Sequence, residues 1–258
     1  MDFKVLAVGD VVGGPGMDRI RRSLRYLKRK TNADFVIVNG ENASVVGMTP
    51  EQAETILDAG ADVITMGNHT FGKRELVPYL DDTSRVLRPA NFAPQLPGVG
   101  YGIYPTNYGD IAVVSLIGRY HLDCHADNPF TKIDGILEKL RGMPVLVDFH
   151  AEATSEKLAM GFWLDGKVSA VWGTHTHVPT ADLRILPKGT GYISDLGMTG
   201  PKNSALGVDP AQSIALFRGE LTGRFKPAPG PNWLCAAIFT VDLKTNRCTC
   251  VEQVVVEE

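Results

Sequence analysis

Six short apolar runs constrain this chain more than any other feature. They are Val5–Val8, Phe35–Val38, Val63–Met66, Ile111–Ile117, Val145–Phe149 and Val168–Trp172. They are short and rich in β-branched residues, which suits strands buried on both faces and argues against helices. Helical patterns lie between them. One begins near Pro15 and places Met17, Ile20, Leu24 and Leu27 on one face. Others cover Pro50–Ala59, with Thr49 as its N-cap, then Lys73–Leu80, Pro129–Leu140 and Glu152–Trp163.

Hairpins punctuate and then close the chain. Tyr101–Tyr104 and Ile111–Ile117 are joined across Asn107-Tyr108-Gly109-Asp110. Arg184–Leu186 and Tyr192–Ser194 flank Pro187-Lys188-Gly189, and Ile238–Leu243 and Thr249–Val256 flank Lys244-Thr245-Asn246. Strands alternating with helices, followed by hairpins, predict an α/β fold of two packed sheets with helices outside. No linker or repeat divides the 258 residues, so one domain spanning residues 1–258 is expected.

The polar residues fall in a pattern. Val5–Val8 leads to Asp10, Phe35–Val38 to Gly40-Glu41-Asn42, and Val63–Met66 to Gly67-Asn68-His69. Val145–Phe149 ends at His150, and Val168–Trp172 leads to Gly173-Thr174-His175-Thr176-His177. Sites in open α/β sheets form beyond the carboxyl ends of strands. Singly, each residue also reads as a turn former, a cap or a bonded core histidine. Together they deliver a mixed nitrogen and oxygen ligand set to one edge. Imidazole suits zinc, iron, manganese or nickel, and carboxylate and amide oxygens suit harder ions. Asp10, Glu41, Asn42, Asn68, His150, His175 and His177 are too many for one metal, so two are expected, with Glu41 as the bridging carboxylate.

In this order, the blocks resemble those of the calcineurin-like metallophosphoesterases: D-x-H, G-D-x-x-D, G-N-H-[DE], a lone His and G-H-x-H. Val12 stands in place of the histidine of the first block, Glu41-Asn42 replaces the aspartate block, and Thr174 shifts the last pair to His175 and His177. These departures, with Gly9-Asp10-Val11-Val12-Gly13, Arg88-Pro89-Ala90-Asn91 and Gly197-Met198-Thr199-Gly200-Pro201, resemble the YmdB-like phosphodiesterases. The resemblance implies a four-layer α/β/β/α sandwich of two mixed sheets. It also implies two metal ions, iron first with manganese or zinc as alternatives, and hydrolysis of 2′,3′-cyclic nucleotides. By position, Asp10, Glu41, Asn42 and His177 would hold one metal. Glu41, Asn68, His150 and His175 would hold the other, and His69 would be the proton donor. Hydroxide attack with loss of the 2′-oxygen would leave a 3′-nucleotide.

The glycine-rich Gly9–Gly16 fits neither a dinucleotide fingerprint nor a P-loop. Arg19, Arg21, Arg22, Arg25, Lys28, Arg29 and Lys30 read as a solvated helix face, with an RNA surface as the alternative. Arg119, His121 and His125, after Ile117, are candidates for substrate contact, and Asp195–Gly200 for a wall of the site. The net charge of -3 disfavours a general nucleic-acid coat. No apolar run suits a membrane, no signal-peptide pattern opens the chain, and the four cysteines lack zinc or disulfide spacing. A cytoplasmic protein with plain thiols is expected, and a symmetric homo-oligomer on general grounds. A phosphomonoesterase using the same metals and a metal-bearing RNA- or protein-binding regulator are the alternative functions.

Overall fold

A computed structural model describes residues 2–257. In chain order the elements are β1 (Asp2–Val8), β2 (Asp10–Val11), α1 (Gly13–Thr31), β3 (Phe35–Asn39), α2 (Pro50–Asp58), β4 (Val63–Thr65), α3 (Leu76–Asp82) and β5 (Val86–Leu87). Then follow β6 (Tyr101–Thr106), β7 (Gly109–Ile117), α4 (Pro129–Leu137), β8 (Val145–His150), α5 (Thr154–Leu164) and β9 (Ala170–Thr174). The chain ends with β10 (Arg184–Ile185), β11 (Gly191–Ile193), β12 (Met198–Pro201), α6 (Pro210–Phe217), β13 (Asn232–Asp242) and β14 (Arg247–Glu257).

The strands form two mixed sheets. In the first, β1, β3, β4 and β5 are parallel neighbours, and β13 runs antiparallel to β1. β13 also pairs with β14 and, near its start, with β12, which pairs with β2. The second sheet has the order β10-β11-β9-β8-β7-β6, with β7, β8, β9 and β11 parallel.

Side-chain alternation explains the packing of these sheets. Val5 and Ala7 of β1, with Phe35 and Ile37 of β3, face a core shared with Leu146 and Trp172 of the second sheet. Leu6, Val8, Val36 and Val38 face the opposite way, into a core with Ile20 and Leu24 of α1 and Ile56 of α2. Val145, Val147 and Phe149 turn from the second sheet toward Ile133 of α4 and Met160 of α5. Strands with both faces buried need apolar residues at successive positions, hence the unbroken runs. The result is the expected α/β/β/α layering.

The differences from expectation are local. α2 begins at a full capping box, in which Thr49 and Gln52 each bond the other's backbone N–H. α3 starts at Leu76, and residues 73–75 form turns. β2, β5, β12 and α6 carry no readable period: the strands are two to four residues long, and α6 buries none of its residues. Arg19 departs from the solvated face proposed for it. It is buried, and its guanidinium donates to the Val256 carbonyl at 2.9 Å, because α1 packs across β12 and β13 beside β14. Arg25 donates to the Asp58 carbonyl and Lys28 to Asp62, so these cations tie α1 to its neighbours.

Candidate metal centre

The first sheet brings Asp10, Glu41, Asn42, Asn68 and His69 to the ends of β1, β3 and β4. The second brings His150 as the last residue of β8, and His175 and His177 just beyond β9. Glu41, His150 and His175 each place one ligand atom within 4.8 Å of the others. His150 Nε2 lies 2.9 Å from Asn68 Oδ1, 3.0 Å from Glu41 Oε1 and 3.0 Å from His175 Nδ1. Beside them, Asp10 Oδ1 stands 3.8 Å from His177 Nε2 and 3.9 Å from His150 Nδ1. Asn42 links this pair to His69, with Nδ2 2.9 Å from His177 Nε2 and Oδ1 3.0 Å from His69 Nδ1.

Surrounding bonds decide which nitrogens carry lone pairs. The Thr174 hydroxyl donates to Asp148 Oδ1 at 2.8 Å, so its oxygen accepts the Nδ1–H of His150 at 2.9 Å. Asp148 is fully buried and also accepts from Thr65 and from Asn39 Nδ2. His177 Nδ1 donates to the Leu206 carbonyl at 3.0 Å. His175 Nε2 faces Glu152 Oε2 at 3.2 Å. Each imidazole therefore commits one N–H outward and turns its other nitrogen inward, as ligating histidines do.

Apart from the Asn42 amide nitrogen, the inward side-chain atoms are lone-pair acceptors once His150 Nε2 gives up its proton, and such a set is held by a proton or a cation. Asp10 Oδ1 is buried without a hydrogen-bond partner, and the buried Glu41 Oε1 has His150 Nε2 at 3.0 Å as its charge partner. Burial would raise the Glu41 carboxyl, but the adjacent His150 outweighs it and takes the pKa down to about 2. Burial would lower His150, and Glu41 and Asp10 reverse this and push it up to about 9. Burial and then the neighbouring His150 take His175 down to about 3, leaving a neutral imidazole. Burial lifts Asp10 to about 6 against the pull of His177 and His150. Two buried carboxylate oxygens beside inward-facing imidazole nitrogens fit a divalent cation, which would take the place of the His150 proton.

A family model described as "YmdB-like protein" matches residues 6–254. The chain belongs to the YmdB-like family. A relative from Bacillus subtilis, "2',3'-cyclic-nucleotide 2'-phosphodiesterase", is 44% identical over 259 residues, spanning 99% of this chain and 98% of that protein. A solved "novel phosphatase" from Mycoplasma pneumoniae superposes with a TM-score of 0.92 at 37% identity, covering 100% of this chain and 94% of that one. A "hypothetical protein" from Thermus thermophilus gives 0.91 at 36% identity, covering 99% and 100%. The fold of this YmdB-like chain is that of the metallophosphoesterases.

Local structure in the family member serves the site. His175 and His177 have φ of 98° and 63°, and Val45 and Leu206, which line the same cavity, have 69° and 55°. Side-chain-bearing residues rarely adopt this region, and strain of this kind collects at functional sites. Thr176, between the histidines, is pinned by Asp195: its N–H donates to Oδ2 at 3.1 Å and its hydroxyl at 2.7 Å. Lys157 Nζ donates to the same oxygen at 2.7 Å. Asp195 thus braces the histidine loop, and residues 195–200, expected as a wall of the site, are not among those lining the cavity. Gly67 has no alternative, because a Cβ there would lie 2.2 Å from Glu41 Oε2 and 2.3 Å from the His150 ring.

A cavity of about 490 Å³ opens onto Glu41, Asn42, His69, His175 and His177. Arg119, His121 and His125 are not among the residues that line it. Arg119 lines a separate depression with Tyr120 and Phe130, and its backbone N–H donates to Glu156. His121 and His125 are exposed on the same loop, whose Arg119 and Tyr120 backbone N–H groups donate to the buried Glu156. The lining instead includes Val45, Val46, Glu152, Leu206, Val208 and Phe225, which carry no local motif. Glu152 alone had a signal: it lies two residues beyond His150.

Proposed function

We propose that the chain, acting as one domain, hydrolyses 2′,3′-cyclic nucleotides at the 2′-ester and leaves a 3′-nucleotide. The observation that carries this reading is the meeting of buried acceptor atoms from both sheets beside His69, at the floor of an open cavity. The full-length similarity to the Bacillus subtilis 2',3'-cyclic-nucleotide 2'-phosphodiesterase supports the substrate class. Two metal ions, iron first, would be held in two sets that share Glu41. One set is Asp10, Glu41, Asn42 and His177, and the other is Glu41, Asn68, His150 and His175. Turning the Asn42 amide over would present its oxygen to the first set. When bound, such a pair supplies Lewis acidity at a phosphoryl oxygen and a water acidic enough to ionise near neutral pH.

The protein's own contribution is placement. Thr174, Leu206 and Glu152 aim the three imidazoles. His69 lies at the edge of the cluster, with its side chain 35% exposed and its Nδ1 3.0 Å from Asn42 Oδ1 and 3.7 Å from Glu41 Oε1. It faces the cavity and would pass a proton to the departing 2′-oxygen, a role worth about 10²–10⁴-fold. A cytoplasmic location is part of this proposal; among the described residues no helix is long and apolar enough to cross a membrane.

The test is turnover of 2′,3′-cAMP by protein reconstituted with iron, manganese or zinc, with products separated by chromatography. A 3′-phosphate product that disappears in His69→Ala, at unchanged metal content, is expected. Loss of metal in that variant would make His69 a ligand. Hydrolysis of 3′-AMP without hydrolysis of the cyclic ester would replace this reading with a phosphomonoesterase.

A further inference from the structure

The cavity in front of the ligand cluster has an uneven character. Val45, Val46, Leu206, Val208, Phe225 and Pro227 make part of its lining apolar. Val46, Leu206 and Phe225 are 46%, 52% and 38% exposed, so this surface is open to an incoming molecule. Among the described residues that line the cavity there is no lysine or arginine. The charged side chain in the lining that is neither a proposed ligand nor His69 is the carboxylate of Glu152. It is 46% exposed and held by His175 Nε2 at 3.2 Å.

Phosphate esters differ in charge in a way that this arrangement can read. A diester carries one negative charge, whereas a monoester carries roughly −1.5 to −2 at pH 7. Guanidinium, ammonium and metal cations are the groups that offset the second charge of a bound phosphomonoester. Among the side chains lining this cavity a carboxylate stands where a cation could, so beyond the charge that bound metals would supply, the second charge is opposed.

We infer that Glu152 makes the cavity selective for monoanionic phosphodiesters and hastens the departure of the dianionic product. The inference rests on the phosphodiesterase reading above. In that reaction water adds to phosphorus and the bond from phosphorus to O2′ breaks. One proton of the water goes to O2′, and the other goes to solvent as the 3′-phosphomonoester becomes a dianion. Substrate enters with one charge and product leaves with two. The added charge appears beside Glu152, which lies in the connection between β8 and α5, two residues from His150. The apolar part of the lining receives the nucleoside, whose base offers a flat face to Phe225. This contact is the same before and after hydrolysis, so the change in charge is what separates substrate from product.

The experiment compares metal-loaded full-length protein with its Glu152→Gln and Glu152→Lys variants. Metal content is measured by elemental analysis, kcat and KM with 2′,3′-cAMP, and 3′-AMP affinity both as an inhibition constant and by calorimetry. Removing one charge beside a half-exposed site is expected to tighten 3′-AMP roughly three- to tenfold. Glu152→Lys should tighten it further, and KM for the cyclic ester should change less than the 3′-AMP affinity. Unchanged 3′-AMP affinity in both variants, with metal retained and the cyclic ester still hydrolysed, would overturn the inference and leave the phosphodiesterase reading standing. Glu152→Gln retains an oxygen for the His175 Nε2–H, so loss of metal from it would overturn the inference too, by making the charge of the carboxylate a requirement of the metal site. No turnover of the cyclic ester by the metal-loaded parent protein would remove the foundation of both.

Discussion

His150 receives a constraint on each ring nitrogen, and the two have different consequences. Thr174 fixes Nδ1, so Thr174→Val should weaken metal binding by about 10–100-fold while Thr174→Ser retains it. Titration with metal against a competing chelator measures this, and equal affinity in the valine variant would sink the relay from Asp148. The other nitrogen holds a proton in the protein alone, because Glu41 and Asp10 push His150 up to about 9. A metal must displace that proton. Below about pH 9 binding should therefore release protons, about one per chain from His150 at pH 7, and apparent affinity should rise with pH and level off above that value. Calorimetry in two buffers of different ionisation enthalpy reads the number directly. Gly67→Ala should destroy the cluster, since no side chain fits between Glu41 and His150. At this scale the sequence was informative where residues follow a strand end, as in Gly173-Thr174-His175-Thr176-His177. Leu206 and Phe225 were invisible because they reach the cavity from an excursion near α6 that has no period and no motif.

Strands of five or more residues with both faces buried announced themselves, and α6, which buries none of its residues, did not. β1, β3, β7, β8 and β9 appear as apolar runs because three cores share their side chains. α6 buries nothing, so its apolar residues carry no stripe. The two-residue strands β2 and β5 are defined by pairing partners that lie far along the chain. At α2 the local signal was complete, and Thr49→Ala should cost about 1 kcal/mol in chemical denaturation. The segment between β3 and α2 behaves differently. Val45 holds a φ of 69°, a region costly for a β-branched side chain, and asparagine tolerates it better. Val45→Asn should raise stability by about 1 kcal/mol while raising KM, because an apolar contact in the cavity is lost. Higher stability with unchanged KM would remove Val45 from the substrate surface.

Across the whole molecule, the proposed ligands are divided between the two sheets. Asp10, Glu41, Asn42 and Asn68 follow strands of one, and His150, His175 and His177 follow strands of the other. Metal bound between them favours the folded state by mass action, about 2.7 kcal/mol at a free concentration one hundred times Kd. For a chain of this size that corresponds to a loss of roughly 5–10 °C in Tm on chelation, readable by scanning calorimetry. A Tm indifferent to chelator would place the metals outside this seam.

Between the sheets, Trp172 of β9 and Phe239 of β13 stack with centroids 5.6 Å apart. Both are buried, and Trp172 stands three residues before His175. These rings act as a shim that sets the gap between the halves of the molecule. The gap in turn sets how far the histidines stand from the carboxylates. A thinner shim such as Trp172→Leu would leave every proposed ligand in place in the sequence and still change the calibre of the jaw that they form.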